Sequence, residues 1–258
     1  MTRNLSFLLL SLLITAACFI GCNSDQPVGT LESAPVVKDS IKTKVPDEFI
    51  DLLFADQSIQ QLDNLASART IGNKSIWTDF LSATQQALQH KNDEAIAAFR
   101  VIADDKKNEP RVRLWAWNGL RSLGVRPKQV GTLGLILEVP QQGSTELLAM
   151  YADRSARYIN YSGMVVVWEQ HEHKMDSLMG ASFKLADQIV AKQALTHERS
   201  HVRTDKVRFS FLTTDGLMQA EKSIDALNDP KDNFTRIFAN SVQVLSEMVN
   251  RAKTTTKE

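Results

Sequence analysis

The 258-residue chain is poor in cysteine: it has two, Cys18 and Cys22, and both lie near its N-terminus. If Cys22 is modified, the mature chain has neither a free thiol nor a disulfide. Charge of one sign is also lacking, because 30 Lys and Arg residues balance 30 Asp and Glu residues. No overall field therefore favours nucleic acid or an anionic membrane surface as a partner.

Several patterns of catalytic and nucleotide-binding sites are missing as well. The chain after Cys22 contains no Gly-x-Ser-x-Gly, no phosphate-binding loop, no dinucleotide-type glycine pattern and no Cys-x-x-Cys pair. Its composition is that of an ordinary globular protein, with 43% hydrophobic and 23% charged residues. We therefore expect a real hydrophobic core in one large or two small domains.

The only long apolar run covers residues 5–20, directly after the positively charged Arg3. At about 16 residues it is shorter than the ~20 that a membrane-spanning helix requires, and it has the size of a secretory leader. It ends in Phe19-Ile20-Gly21-Cys22, followed by Asn23. This sequence resembles the lipobox of bacterial lipoproteins, in which a small residue precedes an acylated cysteine.

The resemblance implies a signal peptide over residues 1–21 and a lipid on Cys22. Cys18, which follows two alanines, is the second candidate acceptor, but it would leave an apolar start to the mature chain. A plain cleaved leader is the remaining alternative. Because Asn23 rather than aspartate follows Cys22, the resemblance implies the outer membrane, facing the periplasm, if the organism has two membranes. Several acyl chains would hold the protein there almost irreversibly.

Residues 22–45 contain scattered Pro, Gly, Ser and charged residues without a regular hydrophobic period, so we expect a flexible, lipidated tether. Residues 46–128 then follow a helical period, which predicts a series of helices. Ala95 and Phe99, with Pro110 after them, resemble the second helix of a tetratricopeptide repeat. A single such hairpin cannot form a free-standing array, because about three repeats are needed to bury their faces.

Trp115 and Trp117 lie two residues apart on the helix that starts at Pro110, and so point about 200° from each other. One interpretation is that this helix is enclosed between the helical and C-terminal parts. The other is that Trp117 lies on a partner-binding surface.

Residues 129–252 predict an α+β domain, an antiparallel β-meander with helices packed on one face. Four strands are predicted between residues 131 and 168, a helix over 176–195 and a strand over 207–212. A turn at Asp215-Gly216, a short helix to Leu227 and a final helix after Asp232 complete the domain. Residues 253–258 are predicted to be a disordered tail.

One motif points to metal chemistry. His197-Glu198-Arg199-Ser200-His201 fits His-Glu-x-x-His, and on a helix both histidines share a face that can hold Zn²⁺ while Glu198 polarises a water. Glu221 then follows at a spacing similar to that of glutamate-ligand zinc peptidases. Three observations argue against a zinc site. Arg199 would place a cation beside the metal, and the apolar stripe of the preceding helix ends near Leu195. In addition, a strand is predicted where the zinc peptidases have a second helix that packs against the first.

These patterns together predict a membrane-anchored lipoprotein of the cell envelope that acts as a non-catalytic protein-interaction or scaffolding module. Its lipid supplies the membrane contact, an envelope protein is the expected partner, and neither nucleic acid nor a cofactor is expected. Two alternatives stay open. One is a zinc-dependent hydrolase that uses His197, Glu198, His201 and Glu221, and the other is a lipoprotein that binds a small ligand.

Overall fold

The computed structural model describes residues 47–69, 76–141, 144–198 and 205–255. The predicted signal peptide with Cys18, the predicted tether with Cys22, and His201 lie outside these residues. Among the described helices, none combines the length and the apolar character that crossing a membrane requires.

Five helices make up the described part of the N-terminal region: α1 Asp47–Phe54, α2 Ile59–Arg69, α3 Ile76–Leu88, α4 Asn92–Asp104 and α5 Pro110–Ser122. Local signals in the sequence account for two of their ends. Ser58 and Gln61 form a reciprocal capping box at the start of α2, with bonds of 2.8 and 3.3 Å. Gly124 ends α5 with a positive φ of 83°, and Val125 N–H donates to the Leu120 carbonyl, as in a Schellman motif.

The predicted tetratricopeptide-like helices pack closely against α5. Phe99 on α4 is completely buried, and its ring lies against the backbone of α5 at Gly119. A Cβ atom added to Gly119 would come within 2.7 Å of three ring carbons of Phe99. The close approach of the two helices therefore depends on the missing side chain at position 119.

Gly119→Ala is expected to destabilise the protein by about 1–2 kcal/mol, because overpacking against Phe99 outweighs the gain in helix propensity. Gly180→Ala, on a later helix, is the matched control, since the added Cβ would meet only the flexible end of Arg154, at 3.3 Å. That variant should be neutral or more stable by up to ~1 kcal/mol. Urea denaturation of both variants tests this, and equal effects would contradict the role assigned to the close approach.

The C-terminal region contains a six-stranded antiparallel sheet with the order β4-β3-β2-β1-β5-β6. Its strands are β1 Thr132–Gln141, β2 Ser144–Tyr151, β3 Ala156–Ile159, β4 Val165–Trp168, β5 Lys206–Thr213 and β6 Gly216–Ser223. Two long helices, α6 His173–Lys192 and α7 Asn233–Thr255, accompany it. The α+β class predicted from the hydrophobic periods is confirmed.

The sheet buries a core on each of its faces. On one face, side chains of α6 and α7 such as Phe183 and Phe234 pack with Leu135 and Phe209 of the sheet. The other face packs against the N-terminal helices, and the shared residues include Trp115 of α5, Ile136 of β1, Ala149 of β2 and Leu212 of β5. Tyr151 on β2 also donates its hydroxyl to the Leu53 carbonyl of α1, at 2.9 Å. Side chains from the regions before and after residue 128 share this core. The domain boundary predicted between residues 128 and 129 stays a prediction.

The segment after the Asp215-Gly216 turn differs from the prediction. In place of a short helix to Leu227, it forms β6, which pairs with β5 over its full length, and only Ile224–Ala226 makes a single 3₁₀ turn. The helix predicted over 176–195 lies about one turn earlier, as α6. At the C-terminus the backbone of α7 continues to Thr255, and residues 256–258 lie outside the described residues.

Candidate functional site

The structure describes the first two residues of the His-Glu-x-x-His motif, His197 and Glu198, and they belong to an extended segment. α6 ends at Lys192, and Thr196 pairs with Gln219 of β6 in an isolated antiparallel bridge. His197 and Glu198 are exposed, and His197 Nδ1 lies 3.0 Å from the Leu217 carbonyl oxygen. These two residues therefore run beside β6 and do not occupy a helix.

Glu221, the third predicted zinc ligand, forms ion pairs on the sheet. Its Oε1 accepts a bond of 2.7 Å from Arg208, and its Oε2 lies 3.9 Å from the Lys206 ammonium. Within the ranges that the structure describes, no three His, Cys, Asp or Glu side chains are grouped as metal ligands. His201 lies outside those ranges, so zinc binding stays a prediction.

Trp117 is half-buried and packs against the core beneath the N-terminal helices. Trp115, on the opposite side of α5, is 3% exposed, and its indole N–H donates to the Gln57 side chain. The ring of Trp77 lies 5.4 Å away from that of Trp115, centroid to centroid. α5 is thus enclosed between the other helices and the sheet, and Trp117 offers only part of its ring to a partner.

A stronger candidate for a partner surface is β4, at the edge of the sheet. Two of its four residues, Val165 and Val167, are 38% and 54% exposed. Val166 and Trp168, by contrast, pack against the core under α6 and α7. Edge strands in natural proteins are commonly protected by charged residues or proline, and β4 contains neither.

The pairing with β3 determines where the main chain of β4 points. Asn160 N–H donates to the Met164 carbonyl at 3.0 Å, so the hydrogen-bonded pairs continue with Tyr158–Val166. Val165 and Val167 are consequently in non-hydrogen-bonded pairs, and their N–H and C=O groups point away from β3. No strand in the described part of the chain pairs with that side of β4. The exposed valines therefore also have outward main-chain donors and acceptors.

Beside β4 lies a polar cavity of about 250 Å³, here called the acidic pocket. Its walls come from the start of α5, the β2–β3 turn, β3 and the segment that follows β4. The lining residues are Glu109, Asp153, Ser155, Arg157, Glu169 and His171. Arg157 is the direct cross-strand neighbour of Val167, so the two side chains project from the same face of the sheet. The acidic pocket and the exposed edge thus form a continuous surface.

Hydrogen bonds hold the pocket side chains in place. Arg157 is 8% exposed and donates to the Ala156 and Trp168 carbonyls and, at 2.6 Å, to Glu169 Oε1. Asp153 Oδ1 accepts the Ser155 N–H at 2.9 Å, which closes the β2–β3 turn. The guanidinium of Arg111 binds Glu109 through Oε1. The walls are therefore anchored to the sheet and to α5.

A second, much smaller cavity lies between the sheet and α7. Its volume of about 20 Å³ has room for about one water molecule, and most of its walls are apolar. Glu146 on β2 is the exception: it is 3% exposed, and neither carboxyl oxygen has a hydrogen-bond partner of good geometry in the described structure. Burial raises the pKa of Glu146 to about 7, and the nearby Tyr158 hydroxyl lowers it in part.

The comparisons with known proteins found no counterpart. No family model matches the chain, and neither do any curated protein or any solved structure. The function must therefore be inferred from the surface itself.

The acidic pocket is not apparent from the sequence because its residues come from four separate segments of the chain. One local signal was present, since Glu169 and His171 directly follow the uncharged strand Val165–Trp168. The convergence of the lining residues depends on the pairing of β3 with β4 and on the position of α5.

Proposed function

We propose that the protein is a membrane-anchored lipoprotein of the cell envelope that acts as a non-catalytic interaction module. A segment of an envelope partner binds in extended conformation and adds as a seventh strand beside β4. In this mode of recognition, main-chain hydrogen bonds supply affinity and alternate side chains supply specificity. Nucleic acid has no part in the proposal, because the chain carries no excess of positive charge.

The observation that carries this proposal is the combination of exposed side chains and outward main-chain groups at Val165 and Val167. An added strand would bury both valines and would satisfy the donors and acceptors of the edge at once. By comparison, Trp117 is already half-buried against the N-terminal core.

The N-terminal segment supports the same function. A lipid on Cys22 would fix the protein to the membrane, and the tether would give the folded part freedom to reach a partner. Fully extended, the roughly 24 residues of the tether would span up to about 80 Å at ~3.4 Å per residue, although the average distance would be much shorter.

Photo-cross-linking in the native envelope tests strand addition. A photoreactive amino acid at position 165 or 167 is expected to give one partner adduct, whereas the same probe at Val101, which is 73% exposed on α4, should not. In a β-ladder, positions two apart face partner residues two apart. Mass spectrometry should therefore locate the two adducts about two residues apart in one partner segment.

A proline variant separates strand addition from simple side-chain contact. Val167→Pro removes an N–H that points away from β3, so the β3–β4 pairing should persist while the added strand loses a hydrogen bond. The adduct formed from position 165 should fall at least several-fold in Val167→Pro and persist in the shape-matched Val167→Thr. Equal adducts in both variants, or adducts scattered over unrelated partner residues, would contradict strand addition.

A further inference from the structure

We propose that the acidic pocket binds a cationic side chain, lysine or arginine, of the segment that adds to β4. This inference rests on the proposed function, and it assigns the chemistry that selects the partner segment. It is carried by four residues with hydrogen-bond acceptors that line the pocket and by the position of the pocket at the end of the exposed strand.

Three of these acceptors are carboxylate oxygens. Glu109, Asp153 and Glu169 each use one oxygen in the contacts described above, to Arg111, the Ser155 N–H and Arg157 respectively. The second oxygen of each carboxylate accepts no hydrogen bond from the described residues. An ammonium has three N–H donors and a guanidinium has five, so either group can satisfy several of these oxygens together.

The fourth acceptor is the Ser155 hydroxyl. Ser155 is 9% exposed and lines the pocket, yet its Oγ has no hydrogen-bond partner in the described structure. A buried hydroxyl without a partner is unfavourable, because it has lost its bonds to water without replacing them. A cation that enters the pocket can donate to this oxygen. The hydroxyl is an observation independent of the three carboxylates, and because it can accept a hydrogen bond it can be satisfied by the same cation.

The charge balance also favours a cation. Three carboxylates and one guanidinium line the pocket, and the second guanidinium, of Arg111, binds Glu109 beside it. One negative charge therefore remains uncompensated when His171 is neutral. Three of the five N–H donors of Arg157 are directed to two carbonyls and to Glu169, so most of its hydrogen-bonding capacity is used within the protein.

The position of Glu169 connects the pocket with the proposed strand. Glu169 is the first residue after β4, and its side chain is 68% exposed. A strand added to β4 would lie about 4.8 Å from its main chain. A lysine or arginine at the position that faces the end of β4 is long enough to cross this spacing and enter the pocket. The preferred segment thus has small or apolar residues opposite the valines, followed by a basic residue.

Binding of the side chain alone can be measured with N-acetyl-lysine-N-methylamide as a probe. Titration should shift the amide signals of Asp153, Ser155 and Glu169 in a saturable manner, with a dissociation constant on the order of millimolar. The norleucine analogue, which lacks the charge, should cause no saturable shift. Raising the salt concentration should weaken lysine binding, because a partly exposed ion pair is screened.

Two substitutions test the residues. Asp153→Asn and Glu169→Gln keep the shape of the side chains but remove charge, and each should weaken lysine binding at least threefold. Asp225→Asn, at an exposed carboxylate outside the pocket, is the matched control and should leave binding unchanged. Equal shifts with the norleucine analogue, saturable binding of acetate instead, or unchanged binding in both pocket variants would overturn the proposal.

These results are separable from those on strand addition. If the lysine probe fails to bind while Val167→Pro still abolishes the adduct, the cation pocket is wrong and strand addition stands. If the lysine probe binds but Val167→Pro leaves the adduct unchanged, the pocket does bind cations. The proposal that the cation belongs to a strand added at β4 is then wrong.

Discussion

Replacing Arg208 by methionine is expected to lower the free energy of unfolding by about 3–5 kcal/mol. Arg208 lies on β5 with 2% of its side chain exposed, between Glu138 on β1 and Glu221 on β6. Its guanidinium lies 3.9 Å from Glu138 Oε2 and 2.7 Å from Glu221 Oε1. Without this cation, the buried carboxylate of Glu138 would lose its nearest compensating charge in the sheet.

The double variant Arg208→Met with Glu138→Leu is the informative control. Replacing a whole buried ion pair by apolar groups often lowers the stability only a little, whereas removing one partner lowers it strongly. The double variant should therefore recover most of the loss seen in Arg208→Met. Urea unfolding at pH 7 measures both, and a single variant within about 1 kcal/mol of the wild type would refute this view of the ion pair.

Glu146→Gln is expected to stabilise the protein at pH 8 by about 3 kcal/mol relative to the wild type, with little difference near pH 4. Burial raises the pKa of the Glu146 carboxyl from its ordinary value of 4.5 to about 7 in the folded protein. A shift of this size corresponds to about 3 kcal/mol, at 1.36 kcal/mol per pH unit. Glutamine has nearly the same shape but carries no charge at any of these pH values.

The direction of the effect follows from proton binding. Between pH 4.5 and about 7 the folded state holds the Glu146 proton more tightly than the unfolded state does, so this contribution to stability is lost as the pH rises. It is fully present below pH 4.5 and absent above about 7. The nearby Tyr158 hydroxyl lowers the Glu146 pKa in part. Tyr158→Phe should therefore extend to higher pH the range, or window, over which this contribution to stability is lost.

Two measurements check this window. Urea unfolding of wild type and Glu146→Gln between pH 4 and 8.5 should give a difference that grows through the window and then levels off. The carboxyl ¹³C signal of Glu146 should titrate with a midpoint near 7. A pH-independent difference between the two proteins, or a midpoint near 4.5, would show that the folded protein keeps this carboxyl hydrated.

Much of the fold followed from local patterns. Alternating apolar residues predicted β1, β2, β3 and β4, because a strand with a buried face repeats its burial every second residue. Spacings of three and four predicted the helices, including α7. These patterns are visible in sequence because the backbone geometry of each helix or strand sets the spacing of its buried side chains.

β6 was mispredicted as a short helix because its burial pattern carries no clear period. Seven of its eight residues are of intermediate exposure, and only Gln219 is buried. Its residues include Met218, Ala220, Glu221 and Lys222, none of which is a strong strand former. The strand exists because it pairs with β5 along its whole length. Such pairing is a tertiary contact, and a single-sequence pattern does not reveal it.

The candidate surface was hidden from sequence for a related reason. A sequential meander would have continued from β4 to the next strand, yet β5 pairs with β1 in the middle of the sheet. This pairing leaves β4 at an edge with Val165 and Val167 exposed. The same arrangement brings the β2–β3 turn and Glu109, at the start of α5, together with Glu169.

The sequence by itself determined the balanced charge, the absence of cysteine beyond Cys22 and the α+β class, because these depend on composition or on contacts between near neighbours. It also led to the expectation of a lipid anchor, which stays a prediction. Only the tertiary structure decided that the sheet is covered on both faces, that β4 is an edge, and that carboxylates distant in sequence line one pocket. These features arise from contacts between residues far apart in the chain, which hydrophobic periodicity does not encode.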